Sequence, residues 1–349
     1  MSESATFVSG ARVSPRPKRP GPSYAIADAA GRKIKIPATA AEDDAYFTAG
    51  QTDEIRRHYE ENGYVVVRGL IPRALCAEAM RRFQAEVKPY KSFIYRQTTG
   101  NPEKHVFTTH GFVLNPILNM QSLDRRKFPR FRETALEVIT HPNAQAVAAA
   151  ILGEPGKLVQ SMYFEGNPST WAHQDTYYLD AERIGGMTAA WFAVEDIAPG
   201  AGRFYVYPKS HLVDMQKNGG DFDIAFHHDR YKKLVVDVIQ RHNLKCKAPA
   251  LQQGDVLFWH SKTMHGSLET TQPRHSRSSF TAHYIPDSAR FLQFQSRIRG
   301  LSLSEIGGIR VHSPKDLNRA SRRLMFWVET TFPGAFRAAK KLAIKAVTR

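Results

Sequence analysis

Trp171-Ala172-His173-Gln174-Asp175-Thr176-Tyr177-Tyr178 places a histidine and an aspartate two residues apart among aromatic neighbours. In an extended strand, residues i and i+2 leave the same face. Read as a strand, the stretch aims the His173 imidazole and the Asp175 carboxylate at one point. A second imidazole completes a set of two histidines and one carboxylate. Such a set holds ferrous iron and leaves coordination positions open. That imidazole is assigned to His265, in Thr263-Met264-His265-Gly266-Ser267. The candidate metal ligands, and thus the candidate catalytic residues, are His173, Asp175 and His265.

The triplet alone is a weak signal. With 14 histidines and 33 acidic residues, chance supplies about one His-x-Asp, and the chain contains a second, His227-His228-Asp229. That one lies beside Arg230, Lys232 and Lys233 in a polar insertion between Leu212 and Gln252, and reads as a solvated loop.

The 349 residues suffice for one large domain or two modest ones, and an apolar fraction of 42% fits a globular protein with a core. No apolar run is long enough to cross a membrane, and the N-terminus is polar. Two separated cysteines, Cys76 and Cys246, support neither a disulfide framework nor a zinc cluster, so a reducing cytoplasm is expected. The net charge is +16. From Arg290 onward, 13 Lys and Arg face only Glu305, Asp316 and Glu329, a local excess of +10. Such a patch suits an anionic partner, namely nucleic acid, phospholipid head groups or a phosphorylated substrate, or else simply keeps the surface soluble.

Three regions follow from the texture. Residues 1–42 read as a flexible basic arm rich in Pro, Gly and Ser. Residues 43–295 form the main domain, and 296–349 a basic helical extension. Within the main domain, Asp53 is expected to cap a helix that ends at Gly63, before a strand over 64–68. Helices are expected from Pro72 to about Val87, near 131–139, and from an Asn143 cap to Leu152. Short β-rich runs then recur at 158–164, 188–193, 203–207, 255–259 and 278–285, a pattern of sandwiches and barrels. Leu317 to Thr330 and Gly334 to Val347 look helical. In the latter, Arg337, Lys341 and Lys345 share one face, and Phe336, Ala339, Ala343 and Val347 the other, as in a membrane-surface helix or one docked on its own domain.

Residues 51–290 resemble the phytanoyl-CoA dioxygenase family of Fe(II)- and 2-oxoglutarate-dependent oxygenases. The carriers are Tyr59-Glu60-Glu61-Asn62-Gly63-Tyr64-Val65-Val66-Val67, then His173-Gln174-Asp175, Trp191, Pro208-Lys209-Ser210-His211, and Gly254-Asp255-Val256-Leu257-Phe258-Trp259-His260 leading to His265-Gly266-Ser267. Arg277, seven residues before Tyr284, has the spacing of the family arginine that binds the far carboxylate of 2-oxoglutarate. It lies one residue further from His265 than in many members, which leaves Arg274 as the alternative.

The resemblance implies a mainly β double-stranded β-helix, or cupin-like jelly roll, with flanking helices. It implies Fe(II), 2-oxoglutarate and O2 as cofactors. Arg277 supplies a two-pronged donor for the co-substrate, with a hydroxyl from Ser267 or Ser279. Trp191 and Phe192 are expected to wall the site against water, and Met162, Tyr163 and Phe164 to line the co-substrate pocket or the core. Gln174 either contacts the co-substrate or faces away, because adjacent strand residues point oppositely. Tyr177 and Tyr178 are candidates for substrate contact, while His211 and His260 read as structural. The expected reaction is hydroxylation of an unactivated C–H bond of a small molecule, with release of succinate and CO2, and the basic insertion and C-terminal patch lean toward an anionic one. The alternatives are desaturation, cyclisation or epimerisation on the same centre, or a non-catalytic jelly roll that binds anionic membrane or nucleic acid. No recognised nucleic-acid motif is present.

Overall fold

Val65 and Val67 leave their strand on one side, Tyr64 and Val66 on the other, and this alternation sets the layers of the molecule. The computed structural model describes residues 23–339. β1 (Ser23–Ala27) and β2 (Lys33–Pro37) form a hairpin, and α1 (Thr52–Asn62) leads into β3 (Tyr64–Val67). α2 (Arg73–Arg82) continues as a π-helical turn, Phe83–Val87. The two-residue strands β4 (Ile94–Tyr95), β5 (Pro102–Glu103) and β6 (Ile117–Leu118) precede α3 (Pro129–Ile139) and α4 (Pro142–Leu152). Next come β7 (Gly156–Phe164), β8 (Leu179–Ala181), β9 (Thr188–Ala193) and β10 (Phe204–Val206). After α5 (His228–Arg241) follow β11 (Val256–His260), β12 (His265–Ser267) and β13 (Ser279–Pro286). The chain then runs through β14 (Phe291–Gln293), β15 (Arg297–Arg299), β16 (Leu303–Ile306) and β17 (Ile309–His312) to α6 (Ala320–Thr331).

The large sheet has eight strands, seven in the order β16-β17-β7-β13-β9-β11-β3, with β6 also paired to β7. Facing it are β10 paired with β12, and β14 between β8 and β15. The two faces of the large sheet bury different partners. Val65, Val67, Ala190, Phe192, Val256, Phe258, Phe280 and Tyr284 pack on Ile55, Phe83, Phe131 and Val147 of the helices. Tyr64, Val66, Ala189, Trp191, Leu257 and Trp259 face inward to meet Phe204 and Val206 of the opposite sheet. This is the jelly-roll sandwich, with helices on one side of the large sheet and the opposite sheet on the other. Beyond the small sheet, β1–β2 and α5 add a further layer around Tyr177, Tyr205, Tyr207 and Tyr231.

Several local expectations change. α1 begins at Thr52 after Gln51, which makes no side-chain cap, and Asp53 sits in the first turn, where a negative charge favours the helix dipole. α4 is capped by His141, whose side chain accepts from the Asn143 amide, so Asn143 is not the cap. Residues 23–37 form a hairpin where an unstructured arm was expected. The polar insertion holds α5, whose Tyr231, Leu234, Val235, Val238 and Ile239 are buried at helical spacing. Residues 296–312 contribute three strands, not helix. Of the expected last helix, residues 340–349, including Lys341, Lys345, Ala343 and Val347, lie outside the described residues, as does the arm before residue 23.

One glycine fixes the approach to His265. Gly63 ends α1 with φ +74°, in the left-handed region that favours glycine. Its carbonyl accepts from the His260 amide at 3.0 Å and from Thr263 Oγ1 at 2.6 Å. A Cβ there would overlap the His211 ring and Thr263. Gly63→Ala is expected to destabilise the fold by about 1–3 kcal/mol. A denaturant midpoint equal to that of the parent protein would contradict this.

Candidate metal centre

His173 and His265 are joined main chain to main chain. The His173 amide donates to the His265 carbonyl at 3.0 Å, and the His265 amide donates back at 2.9 Å. This isolated antiparallel bridge sets the two imidazoles side by side, with ring centroids 4.4 Å apart. The stretch is less regular than a strand. His173 belongs only to that bridge, and Asp175 opens a 3₁₀ turn, Asp175–Tyr177. The turn still brings the carboxylate round. One ligand atom from each of His173, Asp175 and His265 lies within 4.8 Å of the others.

The surroundings orient every donor. His173 Nδ1 lies 3.0 Å from the Trp171 carbonyl, and His265 Nδ1 lies 2.9 Å from the Thr263 carbonyl. A carbonyl only accepts, so each Nδ1 carries a proton, which leaves Nε2 as the atom each ring can offer to a cation. Both Nε2 atoms face Asp175 Oδ1, at 3.6 Å and 3.5 Å. The other oxygen, Oδ2, is held from behind. Trp259 Nε1–H donates to it at 2.8 Å, and His283 Nε2 lies 3.4 Å away. Oδ1 is therefore the oxygen left to bind a cation.

Protonation states match. Burial pushes the Asp175 carboxyl upward, but the imidazoles of His265, His283 and His173 outweigh it and hold the group well below the usual carboxylate range. Burial pushes His265 down to about 4, against the pull of Asp175. The centre thus offers one anion and neutral imidazole, the state in which these groups ligate metal. Trp259→Phe removes the donor that aims the carboxylate and is expected to weaken metal binding by about 10- to 100-fold. Anaerobic Fe(II) titration reads this, and an unchanged affinity would mean that Oδ2 needs no anchor.

Behind the triad lies a guanidinium without a counter-ion. Arg277 is 2% exposed and makes no ion pair among the described residues. Nη1 donates to the Gly202 carbonyl at 3.2 Å, while Nε is buried without a partner. The group lies 5.3 Å from the Phe164 ring and 6.0 Å from the Trp191 ring. Trp191 stacks near Phe204 at 6.0 Å, and Phe204 lies 5.5 Å from the His265 ring. Burial alone pushes Arg277 down to about 9. Arg274 is exposed.

The remaining candidates separate by face. Met162 is buried on β7. Its neighbour Tyr163 turns to the helices beside Phe83 and Phe131, so it lines no pocket at the centre. Phe192 also turns to the helices, unlike Trp191. Gln174 is buried away from the ligands, its amide bonded to the Lys262 carbonyl and its backbone N–H to the Tyr231 hydroxyl. Ser267 Oγ accepts from the Thr170 amide at 2.8 Å and bonds Asn167, which ties down the approach to His173. Ser279 Oγ bonds the Arg277 carbonyl. Tyr177 packs on Tyr231 and bonds the Gly220 carbonyl.

His173 is the one member of the triad with notable exposure, so the centre opens on its side. There Trp171 lies 5.3 Å and Tyr178 6.0 Å from the His173 ring. α5 adds His228, whose Nε2 lies 3.1 Å from the Tyr178 hydroxyl, and Lys232, whose Nζ lies 5.2 Å from the Trp171 ring. The second His-x-Asp is therefore not a free loop, because His228 borders the mouth. Sequence reasoning also missed His283 and Trp259. Their signal was present, since 279, 281 and 283 share a face on β13 and 257 and 259 on β11.

A jelly roll that carries two imidazoles and one carboxylate in this arrangement defines the class of mononuclear non-haem iron oxygenases. The chain belongs to the phytanoyl-CoA dioxygenase (PhyH) family, whose model matches residues 59–276. It is 23% identical over 261 residues to the peroxisomal phytanoyl-CoA dioxygenase of Bos taurus, across 69% of this chain and 71% of that one. The fold is similar to SnoN, described as a non-heme alpha ketoglutarate dependent epimerase from nogalamycin biosynthesis. That likeness has a TM-score of 0.52 and 18% identity, and covers 74% of this chain and 93% of SnoN. It is also similar to EctD from S. alaskensis with 2-oxoglutarate and 5-hydroxyectoine. There the TM-score is 0.50 with 14% identity, covering 85% and 94% of the two chains.

Proposed function

We propose that the chain is an Fe(II)- and 2-oxoglutarate-dependent hydroxylase of a small anionic molecule. The observation that carries this is Arg277, a buried guanidinium with no carboxylate of its own, set behind a three-ligand centre. A buried charge is costly without a partner. The far carboxylate of 2-oxoglutarate is the counter-ion this arrangement lacks, and the PhyH match and the EctD likeness support the same co-substrate.

His173 Nε2, Asp175 Oδ1 and His265 Nε2 would hold iron. With 2-oxoglutarate and O2, iron held there would supply the oxidising chemistry, with succinate and CO2 as the co-products. Arg277 anchors the co-substrate, while Trp191, Phe204 and Met162 keep water from it. The substrate enters beside Trp171, Tyr178 and His228. Lys232 over Trp171, and Arg297 at 5.8 Å from the Phe294 ring on the neighbouring hairpin, favour a carboxylate or phosphate on that substrate. Two free cysteines, Cys76 buried, fit a reducing compartment.

SnoN supports a second reading, in which the same centre epimerises, desaturates or cyclises. Product mass separates the readings. Hydroxylation adds one oxygen, desaturation or ring closure removes two hydrogens, and epimerisation leaves mass unchanged. The test is a screen of acyl-CoA, phosphorylated and neutral candidates for substrate-dependent succinate release. Release coupled to a product one oxygen heavier supports the proposal. Release coupled only to neutral substrates would overturn its anionic part, and no 2-oxoglutarate turnover with iron bound would overturn the whole.

A further inference from the structure

Among the described residues, α6 has a seated side and a side without partners. On the seated side, the Phe326 ring meets Tyr95 edge-on at 5.2 Å, and Glu329 accepts from the Tyr95 hydroxyl at 2.7 Å. Arg323 donates to the Asn318 carbonyl at 2.9 Å. No residue of the helix is buried. Leu324, Met325, Trp327 and Phe332 are 63%, 49%, 54% and 52% exposed. Trp327 and Phe332 meet edge to face at 5.9 Å, so these two rings form one apolar patch, with Leu324 and Met325 exposed on the same helix. Single exposed apolar residues need no explanation, but a cluster of four within nine positions does.

The charge around this cluster is mostly positive, although Arg319 already pairs with Asp316 at 3.7 Å. Arg319, Arg322 and Arg337 are exposed beside it. From Arg319 to the end the sequence holds eight Lys and Arg and one acidic residue, Glu329, whose carboxylate is already bonded to Tyr95. A cavity of about 240 Å³ between α6 and the body repeats the chemistry, with Phe93, Ile94, Phe128 and Trp327 beside Arg126 and Lys127.

We propose that α6 docks the protein on a membrane surface that contains anionic phospholipid. A second copy of the chain is disfavoured, because its matching face would bring the same positive charge. A nucleic acid would satisfy the arginines but leave Leu324 and Met325 in water. The interface of an anionic bilayer satisfies both. Aliphatic side chains reach the acyl boundary, Trp327 and Phe332 lie at headgroup depth, and the arginines meet phosphate. This inference stands on α6 alone and does not depend on the reaction.

The test uses the full chain with vesicles of phosphatidylcholine alone or with about 30% phosphatidylglycerol. Co-sedimentation is expected only with the anionic vesicles. It should fall at least about tenfold in a Leu324→Glu/Trp327→Glu double variant, and also in Arg319→Gln/Arg322→Gln, the scale on which one or two interfacial contacts act. All four side chains are at the surface, so circular dichroism melts should match the parent. If the apolar pair perturbs folding, the arginine pair gives the same reading alone. Unchanged binding in both variants, or equal binding to neutral vesicles, would overturn the proposal. So would a dimer that the apolar variant dissociates, or binding to duplex DNA with no binding to vesicles. Tighter vesicle binding after removal of residues 340–349 would show that the chain's own tail covers the face, and would overturn it too.

Discussion

Arg277→Met is expected to lose 2-oxoglutarate binding while the metal-free protein becomes more stable. The guanidinium is buried against Phe164 and Trp191, with one bond to the Gly202 carbonyl and an unpartnered Nε. With the co-substrate bound, removing one member of a buried charge pair costs about 2–5 kcal/mol. That corresponds to roughly 30-fold to several thousandfold weaker affinity. Without the co-substrate, the same charge has nothing to offset its desolvation, so an apolar side chain of similar length relieves the fold. Arg277→Lys should fall between, since it keeps a charge and loses the planar fork. Calorimetric titration of the iron-loaded protein gives the affinity, and thermal melts give the stability. Full 2-oxoglutarate affinity in Arg277→Met would remove Arg277 from the site, and loss in Arg274→Met would point to the exposed alternative.

His265→Ala is expected to bind no iron at micromolar concentrations and to show no turnover. The change leaves two donors where three converged, and outer partners alone are worth about 10- to 100-fold in metal affinity, so a ligand should exceed that. The main-chain bridge to His173 does not depend on the side chain. The packing of the ring on Phe204 and Trp259 does, so His265→Gln, which fills more of the space, separates lost ligation from lost packing. Anaerobic Fe(II) and 2-oxoglutarate are expected to give the parent protein a weak visible charge-transfer band. The same band in His265→Ala would show that another residue completes the centre.

The sequence made the ligands legible because their chemistry demands particular residue types. Histidine and carboxylate are the ligand types that hold ferrous iron with open positions, and the two segments that carry them lie in a recognisable order. The framework was legible for a related reason. Long strands such as β9 and β13 are made mostly of apolar and β-branched residues, and Gly63 marks the end of α1. What escaped was set by tertiary neighbours. α5 carries a clear apolar stripe at 231, 234, 235, 238 and 239, but its charges drew attention away from the spacing. β15 to β17 are three or four residues long and largely exposed, too short for alternation to stand out. Trp191 and Phe192 were grouped by their shared chemistry, although consecutive strand residues must part company. His283 and Trp259 serve the site only by touching Asp175, a contact that three remote segments create together.

The clasp between residues 173 and 265 has a bearing on how the enzyme lives in a cell. Two reciprocal amide–carbonyl bonds fix the spacing of the imidazoles before any cation arrives. Such a socket accepts its ion without refolding, and gives it up the same way to a chelator. Two nitrogens and one oxygen also suit cobalt or nickel, which the general affinity order ranks above ferrous iron. Which ion occupies the protein is then decided by what the surrounding fluid offers, and preparations of the same polypeptide from different growth media will differ in activity for that reason alone.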